Sequence, residues 1–300
     1  MADSMTAAVI GLGSMGWGAA VSLLRAGLAT TGVDVRAEVL KKFEGEGGAT
    51  AATPGEAAAN ADTVFLFVVN ATQAEEVLFG PNGAAAAARP GTVFALCVTM
   101  PPSATIDLAA RLSKAGMLVI DAPVSGGSAK ALTGDMSIMA SGADEAFDKA
   151  APALAAISAK IFRLGNEIGT GSQVKMINQL LAGVHIAATA EALTLAKAVG
   201  LDLQTVYEVI SESAGNSWMF GNRGPHIVQG DYTPHSAVDI FVKDLGVVSS
   251  EAGAAACPTP LTETALSLFK EASAKGLGRE DDAAVAKLLA ERAGIKLPGM

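Results

Sequence analysis

Through its first 165 residues the chain alternates short β-branched runs with longer Ala- and Leu-rich stretches, and this alternation leaves few folds open. The runs AAVIGL (7–12), TTGVDV (30–35), TVFLFV (63–68), TVFALCV (92–98), MLVIDAP (117–123), MSIMASG (136–142) and KIFRLG (160–165) read as strands. Between them, WGAAVSLLRAG (17–27), SATIDLAARLSKAG (103–116) and DEAFDKAAPALAAIS (144–158) read as helices. Pro101-Pro102-Ser103 and Asp144 mark two of the helix starts. Strands alternating with helices of this length build βαβ units, and so a mainly parallel, doubly wound sheet covered on both faces. After the glycine-rich GNEIGTG at 165–171 the strand pattern stops. Residues 172–199 run on without proline and would make a helix about 42 Å long at 1.5 Å per residue. Further helical stretches follow at 203–213, 238–255, 260–276 and 280–294. The expected architecture is an α/β domain over 1–165 and an all-α domain over 166–300, joined by the long helix. A helix so long and apolar is expected to be buried on several sides, as a domain connector or a subunit interface.

Three hundred residues, half of them apolar, suffice for about two domains and a core without metal or disulfide staples. The formal net charge of −9, with no Lys/Arg cluster, excludes the nucleic-acid binders, because neutralising phosphates requires local positive charge. Cys97 and Cys257 lack metal-ligand spacing and make no disulfide framework. His185, His226 and His235 follow no metal-binding pattern and read as structural or surface residues, so no metal is expected. The start, MADSMTAAVIGLG, has no basic segment before its apolar run and reads as a strand rather than a signal peptide. The most hydrophobic run, VFLFVV at 64–69, is far shorter than the ~20 residues that span a bilayer. No membrane partner is expected, and the expected compartment is the cytoplasm.

Gly11-Leu12-Gly13-Ser14-Met15-Gly16 fits G-x-G-x-x-G between the first strand and the first helix, which is the context that motif needs. Gly11 would permit the tight turn, Gly13 the approach of a pyrophosphate, and Gly16 close helix–strand packing. The N–H groups of the helix N-terminus would then face the phosphates. Asp34 ends the second strand, 18 residues past Gly16, near where an acidic residue accepts from the ribose 2′-hydroxyl. A carboxylate there repels a 2′-phosphate, so NAD is the expected cofactor. Arg36, two residues on, is the residue that could accommodate such a phosphate.

Asp121-Ala122-Pro123-Val124-Ser125-Gly126-Gly127 ends a strand with a serine and two glycines, and strand C-termini are where ligands sit in open α/β sheets. The Ser125 hydroxyl with the N–H groups of Gly126 and Gly127 could hold a carboxylate, or the segment could be a turn and no more. Lys175 lies early in the long helix, with Asn178 and Gln179 at i+3 and i+4 on the same face. Its neighbours Val174, Met176, Ile177 and Leu180 are apolar. A lysine buried there either pairs with an acid or does chemistry, since desolvation can bring an amine toward neutrality and suit it to proton transfer.

Taken together, GLGSMG (11–16), DAPVSGG (121–127), GxGxxxK (169–175) running into Asn178, and KDLG (243–246) resemble the β-hydroxyacid dehydrogenase family over nearly the whole length. That resemblance implies a Rossmann domain, a long interdomain helix and an all-helical C-terminal domain with catalysis between them. It implies Lys175 as general acid/base, Ser125, Gly126 and Gly127 as anchors of the substrate carboxylate, and Asn178 as an orienting group. Lys243 is implied beside the nicotinamide and the substrate, and Thr99, Val69 and Asn70 join the cofactor-binding set. Many members read K-x-x-N-N, whereas here Gln179 replaces the second Asn. The segments Asn216-Ser217-Trp218-Met219-Phe220, with Asn222-Arg223, and DYTPHSAVDIFVKDLG (231–246) resemble the branch that oxidises L-threonate at C2 to 2-oxo-tetronate with NAD. Rival expectations are a dehydrogenase or reductase for 3-hydroxyisobutyrate or tartronate semialdehyde, and a non-catalytic NAD-binding scaffold. The presence of Lys175 argues against the scaffold and against an imine reductase. A homodimer or homotetramer is expected from the apolar long helix.

Overall fold

In the computed structural model, which describes residues 5–300, nine strands form one sheet. They are β1 (Thr6–Ile10), β2 (Ala29–Val33), β3 (Ala49–Thr50), β4 (Thr63–Leu66), β5 (Val93–Leu96), β6 (Leu118–Asp121), β7 (Val124–Ser125), β8 (Met136–Gly142) and β9 (Ser158–Arg163). The spatial order is β3-β2-β1-β4-β5-β6-β8-β7, with β9 also paired to β8. From β3 through β6 every pairing is parallel, whereas β8 runs antiparallel to β6 and β7. Two strands, β3 and β7, were not expected from the sequence. Each is two residues long, too short to show a period of two.

Strand residues alternate between two apolar cores. Ala7, Val9, Phe65, Val93 and Ala95 pack into one, while Ala8, Ile10, Val64, Leu66, Phe94 and Leu96 pack into the other. Successive side chains of a strand point to opposite faces, so a sheet covered on both sides needs continuous apolar runs of this kind. The helices on those faces are more numerous than the sequence pattern indicated. Ala37–Gly45, Pro54–Ala58, Ala71–Phe79, Ala84–Ala87 and Gly127–Thr133 are short, and a heptad-scale stripe cannot develop in them. Local chemistry starts two of them: Thr53 accepts from the N–H of Glu56, and Asn70 from that of Gln73.

The chain divides into two compact units, Met1–Lys175 and Met176–Met300. The helix Thr170–Ala198 begins in the first and makes up the start of the second. By length and composition it could cross a membrane, with a mean hydropathy of 1.3 over its most apolar window. Half of that window is buried within the protein, where Ile186, Ala187, Ala190 and Leu193 enter the apolar core of the second unit. Those residues make the helix part of that core. The rest of the second unit is helical, at Leu203–Ser211, Trp218–Gln229, Val238–Ala254, Pro260–Ala272 and Val285–Arg292, with a π turn at Ser273–Leu277. Trp218–Gln229 escaped the sequence reading because Gly221, Gly224 and Pro225 interrupt its pattern; Ser217 caps it through the N–H of Phe220.

The second unit also buries a charged cluster. Arg223 forks Asp282 at 2.5 and 3.0 Å, and Nδ1 of His226 lies 2.9 Å from Asp281 Oδ1. The N–H of His235 donates to the other Asp281 oxygen. The His226 ring is thus absorbed by structure, and the His235 ring lies edge-on to it at 4.9 Å. Burial outweighs the Arg223 fork and, with the Asp281 charge, pushes the Asp282 carboxyl up to about 6. The folded state therefore keeps a proton that the unfolded chain releases near 3.8. This contribution to stability is complete below the unfolded value and is lost as pH rises toward about 6. Asp282→Asn is expected to flatten the pH dependence of the unfolding free energy across that window, as measured by urea titration at a series of pH values. Identical slopes for the two proteins would contradict it.

Candidate active site

The parallel strands end along one edge of the sheet, and the residues expected to hold a dinucleotide and the substrate carboxylate lie there. Gly11–Gly16 follow β1, Asp34 follows β2, Val69 and Asn70 follow β4, Thr99 follows β5, and Ser125–Gly127 lie just beyond β6. The chain order reverses between β1 and β4, which is the switch point where open α/β sheets bind ligands.

Each glycine of the loop has a separate physical reason. Gly11 has φ +93°, and a Cβ there would come within 2.6 Å of the Phe67 carbonyl oxygen. A Cβ at Gly16 would lie 1.9 Å from the Gly11 oxygen. At Gly13, by contrast, nothing stands within 4 Å, so the space above it is open to a ligand. No side chain caps the helix Ser14–Arg25, and the first N–H groups of a helix are the donors that an anion site uses. The loop therefore fits a pyrophosphate. Gly13→Ala is expected to fold with wild-type stability yet raise the Kd for NAD about tenfold, ~1.4 kcal/mol, as read by calorimetry. Gly16→Ala should lose the fold first, and equal stability of the two variants would undo the distinction.

Asp34 is tied into the loop as well as into β2. Its Oδ2 accepts from the Leu12 N–H at 2.9 Å, and the Arg36 guanidinium forks both oxygens at 2.8 and 3.0 Å. Burial alone would raise its pKa, but the Arg36 fork and the two backbone donors hold it below the ordinary value. A ribose hydroxyl reaching this carboxylate must therefore compete with Arg36. Beside the loop a cavity of about 430 Å³ is lined by Leu12, Gly13, Ser14, Trp17, Arg36 and Lys42, with the Lys42 ammonium 4.4 Å from the Trp17 ring centroid. Asn70 serves locally as a helix cap, and the Val69 N–H donates to Gln73 Oε1.

The serine–glycine turn is built on two glycines with positive φ. Gly126 and Gly127 have φ +134° and +73°, conformations that side chains rarely permit, and Gly127 is exposed. The Ser125 hydroxyl and the N–H groups of Gly126 and Gly127 follow one another there, while Ser125 is paired with Ser137 of β8. The residue that sequence reasoning passed over lies just upstream. Asp121 is fully buried and accepts from the N–H groups of Gly169 (3.0 Å) and Ser172 (2.8 Å) and from the Ser172 hydroxyl (2.8 Å). Burial dominates its surroundings and raises its carboxyl above the ordinary range in spite of these donors. One carboxylate thereby pins the first turn of the long helix to the end of β6. Gly171 belongs to the same joint, since a Cβ there would stand 2.5 Å from the Met139 carbonyl oxygen. Lys175 follows Ser172 by three residues and is 8% exposed. The spacing of Gly169, Gly171 and Lys175 thus has a structural basis: the glycines let the helix start against β6 and β8, and the lysine sits one turn further.

In the second unit, Asn178 Nδ2 donates to Gln179 Oε1 at 2.9 Å, and Gln179 Nε2 donates to Asp244 Oδ2. The other Asp244 oxygen lies 2.8 Å from Lys243 Nζ. Asn178 and Lys243, 65 positions apart in the chain, are therefore joined through two residues that the sequence left without a role. Among the described residues no group of three or more His, Cys, Asp and Glu could hold a metal. Cys97 is buried, with its thiol pushed upward by desolvation, and Cys257 is exposed; neither is in a disulfide.

Comparison with known proteins agrees with this geometry. Residues 6–165 match the NAD binding domain of 6-phosphogluconate dehydrogenase. Residues 169–289 match the NAD-binding domain of NADP-dependent 3-hydroxyisobutyrate dehydrogenase. The L-threonate dehydrogenase of Cupriavidus necator is 54% identical over 291 residues, covering 97% of each chain. That of Escherichia coli K12 is 49% identical over 293 residues, 97% of this chain and 96% of its own. The crystal structure of a 3-hydroxyisobutyrate dehydrogenase from Salmonella typhimurium superposes with a TM-score of 0.91 at 47% identity, covering 95% of this chain and all of that one. With a dinucleotide-binding α/β unit, a helical unit and full-length relatives of this kind, the chain belongs to the 3-hydroxyisobutyrate dehydrogenase family of β-hydroxyacid dehydrogenases and is an NAD-dependent oxidoreductase of hydroxy acids.

Proposed function

We propose that the substrate is L-threonate, oxidised at C2 to 2-oxo-tetronate, with Lys175 as the general base. The observation that carries this reading is the Asp121 joint, which holds the turn before a buried lysine against the strand that leads into Ser125–Gly127. Relatives at 49–54% identity that bear the name L-threonate dehydrogenase supply the substrate. The substrate carboxylate would be held by Ser125, Gly126 and Gly127, Asn178 would orient the chain of hydroxyls, and Lys243 would lie toward the nicotinamide. As the C2 hydroxyl proton passes to Lys175 Nζ, the C2–H bond breaks and its electron pair leaves as hydride. Bound NAD supplies the acceptor for that hydride. A second reading, 3-hydroxyisobutyrate as substrate, draws on the name of the Salmonella structure.

A panel of hydroxy and sugar acids assayed for NAD reduction separates the two. L-threonate is expected to give the highest kcat/KM, and a preference for 3-hydroxyisobutyrate would replace it. Efficiency with NAD is expected to exceed that with NADP by at least about tenfold, because Asp34 sets negative charge against a 2′-phosphate. Equal efficiencies would transfer the cofactor-selecting role to Arg36.

The division of labour we infer is cofactor binding by residues 1–165 and substrate binding and assembly by 166–300. Val174, Ile177, Leu181, Leu195 and Val199 are exposed at spacings of three, four, fourteen and four along the long helix and just past its end. This apolar stripe supports a homodimer or homotetramer, and the cytoplasm is the compartment that accords with free cysteines.

A further inference from the structure

We infer that Gln179 and Asp244 are positioning residues that set the polarity of Asn178, so that its carbonyl oxygen selects substrates carrying a second hydroxyl beside the reacting carbon. The inference rests on the reading of the substrate as a polyhydroxy acid. Side-chain amides are ambiguous in orientation until a partner of fixed character assigns them. Here that partner is the Asp244 carboxylate, 2% exposed and with one oxygen 2.8 Å from Lys243 Nζ. A carboxylate facing an ammonium can only accept, so Gln179 must turn its nitrogen toward Asp244. Its oxygen then faces Asn178, which must in turn present its own nitrogen to Gln179. What remains at the end of this chain is Asn178 Oδ1, an acceptor, with the second Nδ2 proton beside it.

An acceptor held in this way rewards a hydroxyl donor and leaves a methylene group unmatched, and sites built to bind a hydroxyl discriminate strongly against ligands lacking it. Gln179 is 7% exposed, and its length matters. An asparagine at this position would be one methylene shorter, by about 1.5 Å, and could not reach both Asn178 and Asp244. The chain links Lys243 to Asn178 across two helices, Val238–Ala254 and Thr170–Ala198, by side chains alone.

The test compares wild type, Gln179→Asn and Asp244→Asn on two acids, L-threonate and 2,4-dihydroxybutanoate, which lacks the C3 hydroxyl. Wild type should favour L-threonate by about 10²-fold in kcat/KM, in the range set by a hydrogen bond left unmade in a buried site. Both variants should cut that ratio by about tenfold or more, mainly through KM for L-threonate, while the Kd for NAD stays within about twofold. A parallel loss on both acids would mean a structural role and overturn the inference, as would an unchanged ratio. A second measurement needs no substrate. In nitrogen-15 spectra of the full-length enzyme, the Gln179 side-chain NH2 should be shifted and slow to exchange, and Asp244→Asn should abolish both signatures. Their absence in wild type overturns the polarity chain. If they are present but L-threonate is not turned over, the substrate reading falls while the chain stands.

Discussion

Lys175→Ala should lower the turnover of the preferred hydroxy acid by about 10²–10⁴-fold, the range that a positioned proton-transfer group contributes. The loss belongs to kcat. Affinity for NAD should be nearly unchanged, because the loop at Gly11–Gly16 and the Asp34 carboxylate lie at the ends of β1 and β2, remote in the chain from the long helix. Lys175→Arg should fail as well, since a guanidinium keeps its proton at any working pH and cannot accept another. Steady-state kinetics alongside calorimetric NAD titration measure both quantities. Near-wild-type turnover by Lys175→Ala would return the residue to a structural part. A fall in NAD affinity matching the fall in kcat would mean that the substitution disturbs the fold rather than the chemistry.

Asp121→Ala should destabilise the protein by roughly 3 kcal/mol or more, the cost of leaving several buried donors without an acceptor. The Gly169 and Ser172 N–H groups and the Ser172 hydroxyl all converge on this one carboxylate, and the Thr105 hydroxyl stands 2.9 Å from that of Ser172. Asp121→Asn keeps one acceptor oxygen and should cost less. Both variants should also lower kcat, since the turn they loosen is the one that leads into Lys175. Urea midpoints and single-turnover rates measured on the same samples separate the two effects. If Asp121→Ala matched wild type in midpoint, the joint would contribute nothing to the fold, and the account of how Lys175 is placed would fail with it.

The two predictions differ in how far the sequence alone could have led to them. The burial of Lys175, though not its role, was legible because a lysine among Val174, Met176, Ile177 and Leu180 stands out in one dimension, even though Val174 and Ile177 themselves are exposed. The glycine loop was legible for a related reason: backbone geometry restricts these positions residue by residue, so the need for no side chain at Gly11 and Gly16 is written at those positions. The sheet was legible in its long strands, whose continuous apolar runs serve two cores at once. Its two-residue strands and four- to nine-residue helices were not, since periodicity needs length to show itself.

Asp121 and Asp244 lie inside motifs and Gln179 departs from one, but nothing in the chain shows what these three side chains bond to. Their partners lie 48 and 51 residues away for Asp121, and 65 residues separate Gln179 from Asp244. The Asp34 carboxylate was expected to accept from a ribose hydroxyl, and the structure adds contacts to Leu12 and Arg36 that the sequence did not show. In each case a carboxylate's function depends on which donors the folded chain brings to it. The sequence thus determined where backbone freedom and apolar burial are required, because both act on neighbouring residues. Only the tertiary structure decided which acids would receive which hydrogen bonds, because those bonds join segments that meet only after the sheet and helices have packed.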